Sequence, residues 1–165
     1  MFKSINKISL FFIFFYFLFI QVLKAEIVEK INVEGNQRIS SDTIKMFSGV
    51  SVNDNLFEDD LNRILKKLYN TNFFDLVSVK ITNKVLIISV KENPIIQNIN
   101  YEGIKSSKLL EDLKKDIILK SRSSFNEVLL NKDKKNIKSF LKEKGYYFSK
   151  IEISIENLED NKINV

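Results

Sequence analysis

The sequence predicts an α+β chain, two tandem β-α-α-β-β domains behind a short apolar leader. Three observations carry that prediction. The phrase INVEGN at Ile31–Asn36 returns as INYEGI at Ile99–Ile104, 68 residues later. Each copy is followed by two stretches of helical periodicity and then by residues that alternate apolar and polar with period two. The first 25 residues, in contrast, hold half of the chain's 14 Phe.

The leader comes first. Lys3 and Lys7 precede an apolar run, and Ile8–Leu23 is 16 residues without a charge. A bilayer-spanning helix needs about 20. A basic start, a short apolar core and the small residue Ala25 match a secretory signal peptide over residues 1–25, cut between Ala25 and Glu26. Leu23 stands at the −3 position, where a small residue is preferred, so the alternative is an uncleaved membrane anchor.

The first domain is expected over residues 26–92. Ile27, Ile31 and Val33 share one parity, as in a strand with one buried face. Gly35 and Asn36 supply the turn that ends it. Ser40–Thr43 offers helix caps ahead of Ile44 and Phe47, and Gly49 closes that helix. Asn55–Glu58 has capping-box spacing before Leu61, Ile64, Leu65 and Leu68. Asn70, Thr71 and Asn72 stop the second helix, with Asn72 tolerating a left-handed turn. In Phe74–Thr82, Val77, Val79 and Ile81 alternate with Ser78, Lys80 and Thr82, which fits a half-exposed strand. Asn83-Lys84 turns the chain into Val85–Val90, whose nearly continuous apolar run fits a central strand.

Pro94, the only proline, marks the start of the second domain, expected over residues 93–165. Ile95, Ile99 and Tyr101 alternate, and Gly103 ends that strand. Ser106-Ser107 precedes Leu109, Leu110, Leu113 and Ile117. Ser124–Glu127 repeats the capping-box spacing 69 residues after Asn55, and Ile137, Phe140 and Leu141 mark the next helix. Gly145, Tyr146 and Tyr147 stand where Asn72, Phe73 and Phe74 stood. Ile151, Ile153 and Ile155 then alternate with polar neighbours. Asn161–Val165 reads as the first half of a closing strand. A sheet short of half its central strand leaves backbone groups unpaired, so the chain is expected to continue past Val165.

Composition excludes several classes. With no Cys and no His, disulfide staples, Cys/His zinc sites and nucleophile–His dyads are ruled out. No convergent acid, base or nucleophile suggests an enzyme, and neither a metal nor a cofactor is expected. The net charge of +5 falls to +2 once Lys3, Lys7 and Lys24 leave with the leader, so no nucleic-acid footprint remains.

Three phrases resemble POTRA domains, the polypeptide-transport-associated modules of Gram-negative outer membranes. These are INVEGNQR at Ile31–Arg38, LYNTNFFDLV at Leu68–Val77, similar to L-Y-x-T-G-Y-F-x-x-V, and VKENPII at Val90–Ile96, similar to the V-x-E-x-P-x-I junction between consecutive domains. The resemblance covers residues 26–165. Asn72 departs from the usual Gly before the strand, and Ile104 from the common Asn after Gly103.

A signal peptide followed at once by such domains, with NQRI at Asn36–Ile39, is most similar to the outer-membrane protein assembly factors of Bam complexes. That resemblance implies a location on the periplasmic side of the outer membrane and a C-terminal β-barrel, none of which lies in this sequence. It implies unfolded outer-membrane proteins and accessory lipoproteins as partners. The alternatives are the POTRA region of another transport barrel, of autotransporter or two-partner secretion type, or an anchored division-site POTRA protein. Two POTRA copies and an apolar run starting at Ile8 disfavour the last.

A small sheet can bind an extended peptide along a free edge, where backbone hydrogen bonds give affinity. The candidate edges are Val77, Ser78, Val79, Lys80, Ile81 and Thr82 in the first domain, and Lys150, Ile151, Glu152, Ile153 and Ser154 in the second. Both are equally readable as ordinary closed edges. Lys132, Lys134, Lys135, Lys138, Lys142 and Lys144 could meet an anionic surface, but a solvated helix face is favoured. Phe73, Phe74, Tyr146 and Tyr147 are expected to anchor helix to sheet. Asp59-Asp60 reads as a pair of helix-start acids.

Overall fold

The computed structural model describes residues 25–165, so the predicted leader lies outside the described residues except for Ala25. The first repeat opens with β1 (Glu26–Ile27) and β2 (Lys30–Glu34). Helix α1 (Ser41–Ser48), β3 (Asn55–Leu56) and α2 (Glu58–Asn70) follow, then β4 (Phe74–Thr82) and β5 (Val85–Glu92). The sheet order is β2-β5-β4, with β2 parallel and β4 antiparallel to the central β5. A parallel pair needs a crossover, and α1 and α2 supply it. Ile44 of α1 and Ile64 and Leu68 of α2 are buried with Val77, Leu86, Ile88 and Val90 of the sheet in one core.

Local chemistry sets the boundaries. The Thr43 N–H donates to Ser40 Oγ at 3.2 Å, capping α1, and Gly49 ends it with φ 67°. Asn83 and Lys84 both have positive φ, 51° and 64°, the two-residue turn whose twist matches a hairpin. Gly35 is the most constrained turn residue. Its φ is 79°, and a Cβ there would lie 2.2 Å from the Val90 carbonyl oxygen. The backbone after β2 thus passes over β5 at a distance only glycine permits.

The start of α2 differs from expectation. Asn55 and Leu56 do not cap it, because they pair with Ile27 and Glu26 in a two-stranded ribbon. The helix begins two residues later, where the Phe57 N–H donates to the Asp60 carboxylate at 2.8 Å.

The second repeat holds β6 (Ile95–Asn98), α3 (Ser107–Lys115), α4 (Glu127–Glu143), β7 (Glu156–Leu158) and β8 (Lys162–Asn164). Its sheet order, β6-β8-β7, repeats the first, with β6 parallel and β7 antiparallel to β8. Ser106 caps α3. Asn126, not Ser124, caps α4, accepting from the N–H groups of Val128 and Leu129 at 2.9 and 3.1 Å. Ser124 instead bridges Ile95.

Two further expectations are corrected. Lys150, Ile151, Glu152, Ile153 and Ser154 are not a strand, and the edge strand of this sheet is Glu156–Leu158. The register explains why. Glu156 faces Asn164, so residues 150–154 would face positions past Val165. Tyr146 and Tyr147 do not anchor helix to sheet either, being 54% and 65% exposed. Phe73 and Phe74 do sit in the first core, with Phe73 stacked on Phe47 at 5.7 Å between centroids.

Candidate functional site

Two features of the first repeat bear on function, a free sheet edge and the joint to the second repeat. The edge is the outer side of β4, which among the described residues pairs only with β5. At nine residues it is longer than β2, the opposite edge, at five. Antiparallel partners alternate between pairs that exchange both backbone bonds and pairs that exchange none. The two-residue turn makes Thr82 and Val85 a bonded pair. Counting back by twos, Lys80 and Ser78 are also bonded inward, while Ile81, Val79 and Val77 direct N–H and C=O outward.

One of those outward groups is already taken. The Val77 N–H donates to the Tyr69 hydroxyl of α2 at 3.1 Å. The unoccupied part of the edge is therefore Val79–Thr82. The Val79 and Ile81 side chains pack on the core, and Ser78, Lys80 and Thr82 are exposed. A register shift at Asp75 breaks the edge at its other end, where Lys91 pairs with Asp75 at 2.6 Å. In the second repeat the corresponding edge, β7, has three residues.

The joint is built around Glu92, a carboxylate only 4% exposed. Its Oε1 accepts three backbone N–H groups, from Gln37, Arg38 and Ile39, each at 2.9 Å. Arg38 adds an ion pair at 3.4 Å. The two phrases INVEGNQR and VKENPII thus meet in space, because the loop after the first is folded onto the acid of the second. Burial pushes the Glu92 pKa up, but the three N–H groups and the Arg38 charge outweigh it and hold the group below its ordinary value.

Asparagines flank this acid. The Asn93 Nδ2 donates to the Asn72 carbonyl at 2.9 Å, and the Asn161 Nδ2 to the Glu92 carbonyl at 3.2 Å. Asn72 has φ 60°, in the left-handed region, as do Gly103 and Gly145. Asn36 does not. Its Nδ2 donates to the Ile39 carbonyl instead, at 2.8 Å. The roles of Asn93, Asn126 and Asn161 were missed in the sequence. Only Asn93 lies in the junction phrase; Asn126 and Asn161 are 33 and 68 positions beyond that residue, and no local spacing marks them.

The remaining candidates serve structure. Asp60 caps α2 and pairs with Arg63. All six lysines of the α4 segment are exposed, but Asp133 among them is buried, accepting from Ile118 and Leu119 N–H at 2.8 Å each. Among the described residues no three His, Cys, Asp or Glu side chains come together as a metal site, and no helix is long and apolar enough to cross a membrane.

Comparison with known proteins gives a consistent picture. The POTRA family, described as a surface antigen variable number repeat, matches residues 26–93 and again 94–165. The chain is 26% identical over 143 residues to the outer membrane protein assembly factor BamA of Neorickettsia risticii, covering 86% of this chain and 19% of that protein. It is 29% identical to the BamA of Neisseria meningitidis serogroup B, covering 84% of this chain and 18% of that one. The chain thus spans about a fifth of these relatives' length.

Among solved structures, the N-terminal domain of Omp85 from Thermosynechococcus elongatus superposes with a TM-score of 0.56 at 12% identity, over 85% of this chain and 61% of that one. The first two POTRA domains of Omp85 from Anabaena give 0.50 at 12% identity, over 85% and 92%. At that identity the likeness is one of fold.

Proposed function

The chain belongs to the POTRA family, and from that premise we propose that it is the periplasmic segment of an outer-membrane protein assembly factor. In this reading the segment binds and scaffolds rather than catalyses. It holds unfolded outer-membrane proteins for a β-barrel in the outer membrane and works beside accessory lipoproteins. The names of the relatives support the pathway.

The observation that carries the binding mode is the edge of β4, where Val79 and Ile81 turn their backbone groups outward beside exposed polar side chains. An extended client segment can add there as a further strand. Main-chain bonds then give affinity without demanding one sequence, as a receptor for many clients requires.

The test is site-directed photo-crosslinking in a Gram-negative periplasm, using the full chain. A photoreactive residue at Lys80, exposed on β4, is expected to capture unfolded outer-membrane proteins. The same residue at Lys66, exposed on α2, is expected to capture few. Equal capture at both positions, or none at Lys80, would overturn the edge as the binding site.

A further inference from the structure

The hydrogen bonds at the joint lead beyond client binding. Asn126 uses both ends of its side chain. Its Oδ1 caps α4, and its Nδ2 donates across the repeat boundary to Asn72 Oδ1 at 3.0 Å. Asn72 in turn accepts Asn93 through its carbonyl, and the Asn93 N–H donates to the Phe73 carbonyl at 2.8 Å. From the other side, Asn161 takes the Glu92 carbonyl with its amide and the Ile95 N–H with its own carbonyl, at 3.2 and 2.9 Å. The Phe125 N–H closes the ring on the Pro94 carbonyl at 2.8 Å. The four residues from Glu92 to Ile95 are therefore held from both repeats.

We propose that Asn72 is an inter-repeat latch, fixing the orientation of the second repeat by accepting the Asn126 amide across the joint. Position 72 has φ 60°, a turn that glycine makes freely and asparagine tolerates at a small cost. Glycine would make the same turn but could not reach Asn126. The Asn72 side chain, with its oxygen on the neighbouring repeat's helix cap, is the group that can act across the joint. A net hydrogen bond is worth about a fivefold change in the ratio of closed to open joints. The main-chain bonds set the range of motion, and the latch selects within it.

The chain has no cysteine, so spin labels can be placed without background. Labels on Lys80→Cys in β4 and Lys135→Cys in α4, both exposed, report the inter-repeat distance in the full chain by pulsed electron resonance. The parent chain is expected to give one narrow distribution. Asn72→Gly relaxes the backbone and removes the acceptor, so it should keep the fold but lose the narrow distribution. Asn126→Ser keeps an oxygen to cap α4 but is too short to reach Asn72, and it should broaden the distribution in the same way. Asn72→Asp retains an acceptor and should stay narrow. If Asn72→Gly is as narrow as the parent, or Asn72→Asp as broad as Asn72→Gly, the latch is refuted.

Discussion

At the scale of the residue, Glu92 links the most parts. A carboxylate accepting three N–H groups at 2.9 Å replaces water with charge-assisted bonds and ties a loop 53 to 55 positions away in sequence to the end of β5. Its pKa is lowered from 4.5. A group whose folded pKa is depressed adds stability that is fully present above its unfolded value and fades as pH falls through the folded one. The first repeat should therefore lose stability on acidification below about pH 4.5. Glu92→Gln keeps an oxygen but not the charge, so it should cost about 1–2 kcal/mol at neutral pH. That deficit should shrink toward acid, as the parent becomes protonated. Urea melts of both proteins between about pH 7 and pH 3 measure this, and curves that stay parallel would contradict the role given to Glu92.

At the scale of the element, the register of β4 separates fold from binding. Val79 sends its N–H outward and Lys80 sends its N–H into the ladder with Ile87. Proline at an outward edge position removes no ladder bond, whereas proline at an inward one does. Val79→Pro is expected to cost about 1 kcal/mol from lost packing and to abolish client capture. Lys80→Pro should cost about 2–4 kcal/mol, through the broken ladder bond and the Ile87 group it leaves unpaired. Thermal melts and the crosslinking assay together test this pair. A Val79→Pro chain that is folded and still captures clients would remove the edge from the mechanism.

The same element shows what a sequence discloses. The alternation of Val77, Val79 and Ile81 marked β4, because burial of one face repeats every second residue. Asn55 misled, since its partner in β1 lies 28 positions away and no local spacing records that pairing. Asn126 misled for the opposite reason. Two polar residues, Ser124 and Asn126, both precede the helix, and the bridge from Ser124 to Ile95 decides between them. Lys150–Ser154 alternates like a strand, but alternation gives a segment a face without giving it a neighbour to bond.

At the scale of the whole molecule, the two repeats share a topology, and each has its own buried core. In the first, an eight-residue β5 is flanked on both sides, and its Leu86 and Ile88 are fully buried under Ile44 and Leu68. In the second, β8 lies between β6 and β7, and its core gathers Ile96, Leu119 and Ile163. Opening a sheet costs the apolar area it uncovers, at about 25 cal/mol per Å². Regions of a protein open separately when few contacts couple them, and the joint couples these repeats mainly through asparagine amides and main-chain bonds. Hydrogen exchange on the full chain should find the slowest amides in Leu86–Val90. Ile96 and Ile163 should exchange through an opening of their own, one that leaves the first repeat protected. If Ile96 and Ile163 exchange as slowly as Leu86 and Ile88, the repeats unfold as one unit, and the joint is a structural core rather than an adjustable contact between two modules.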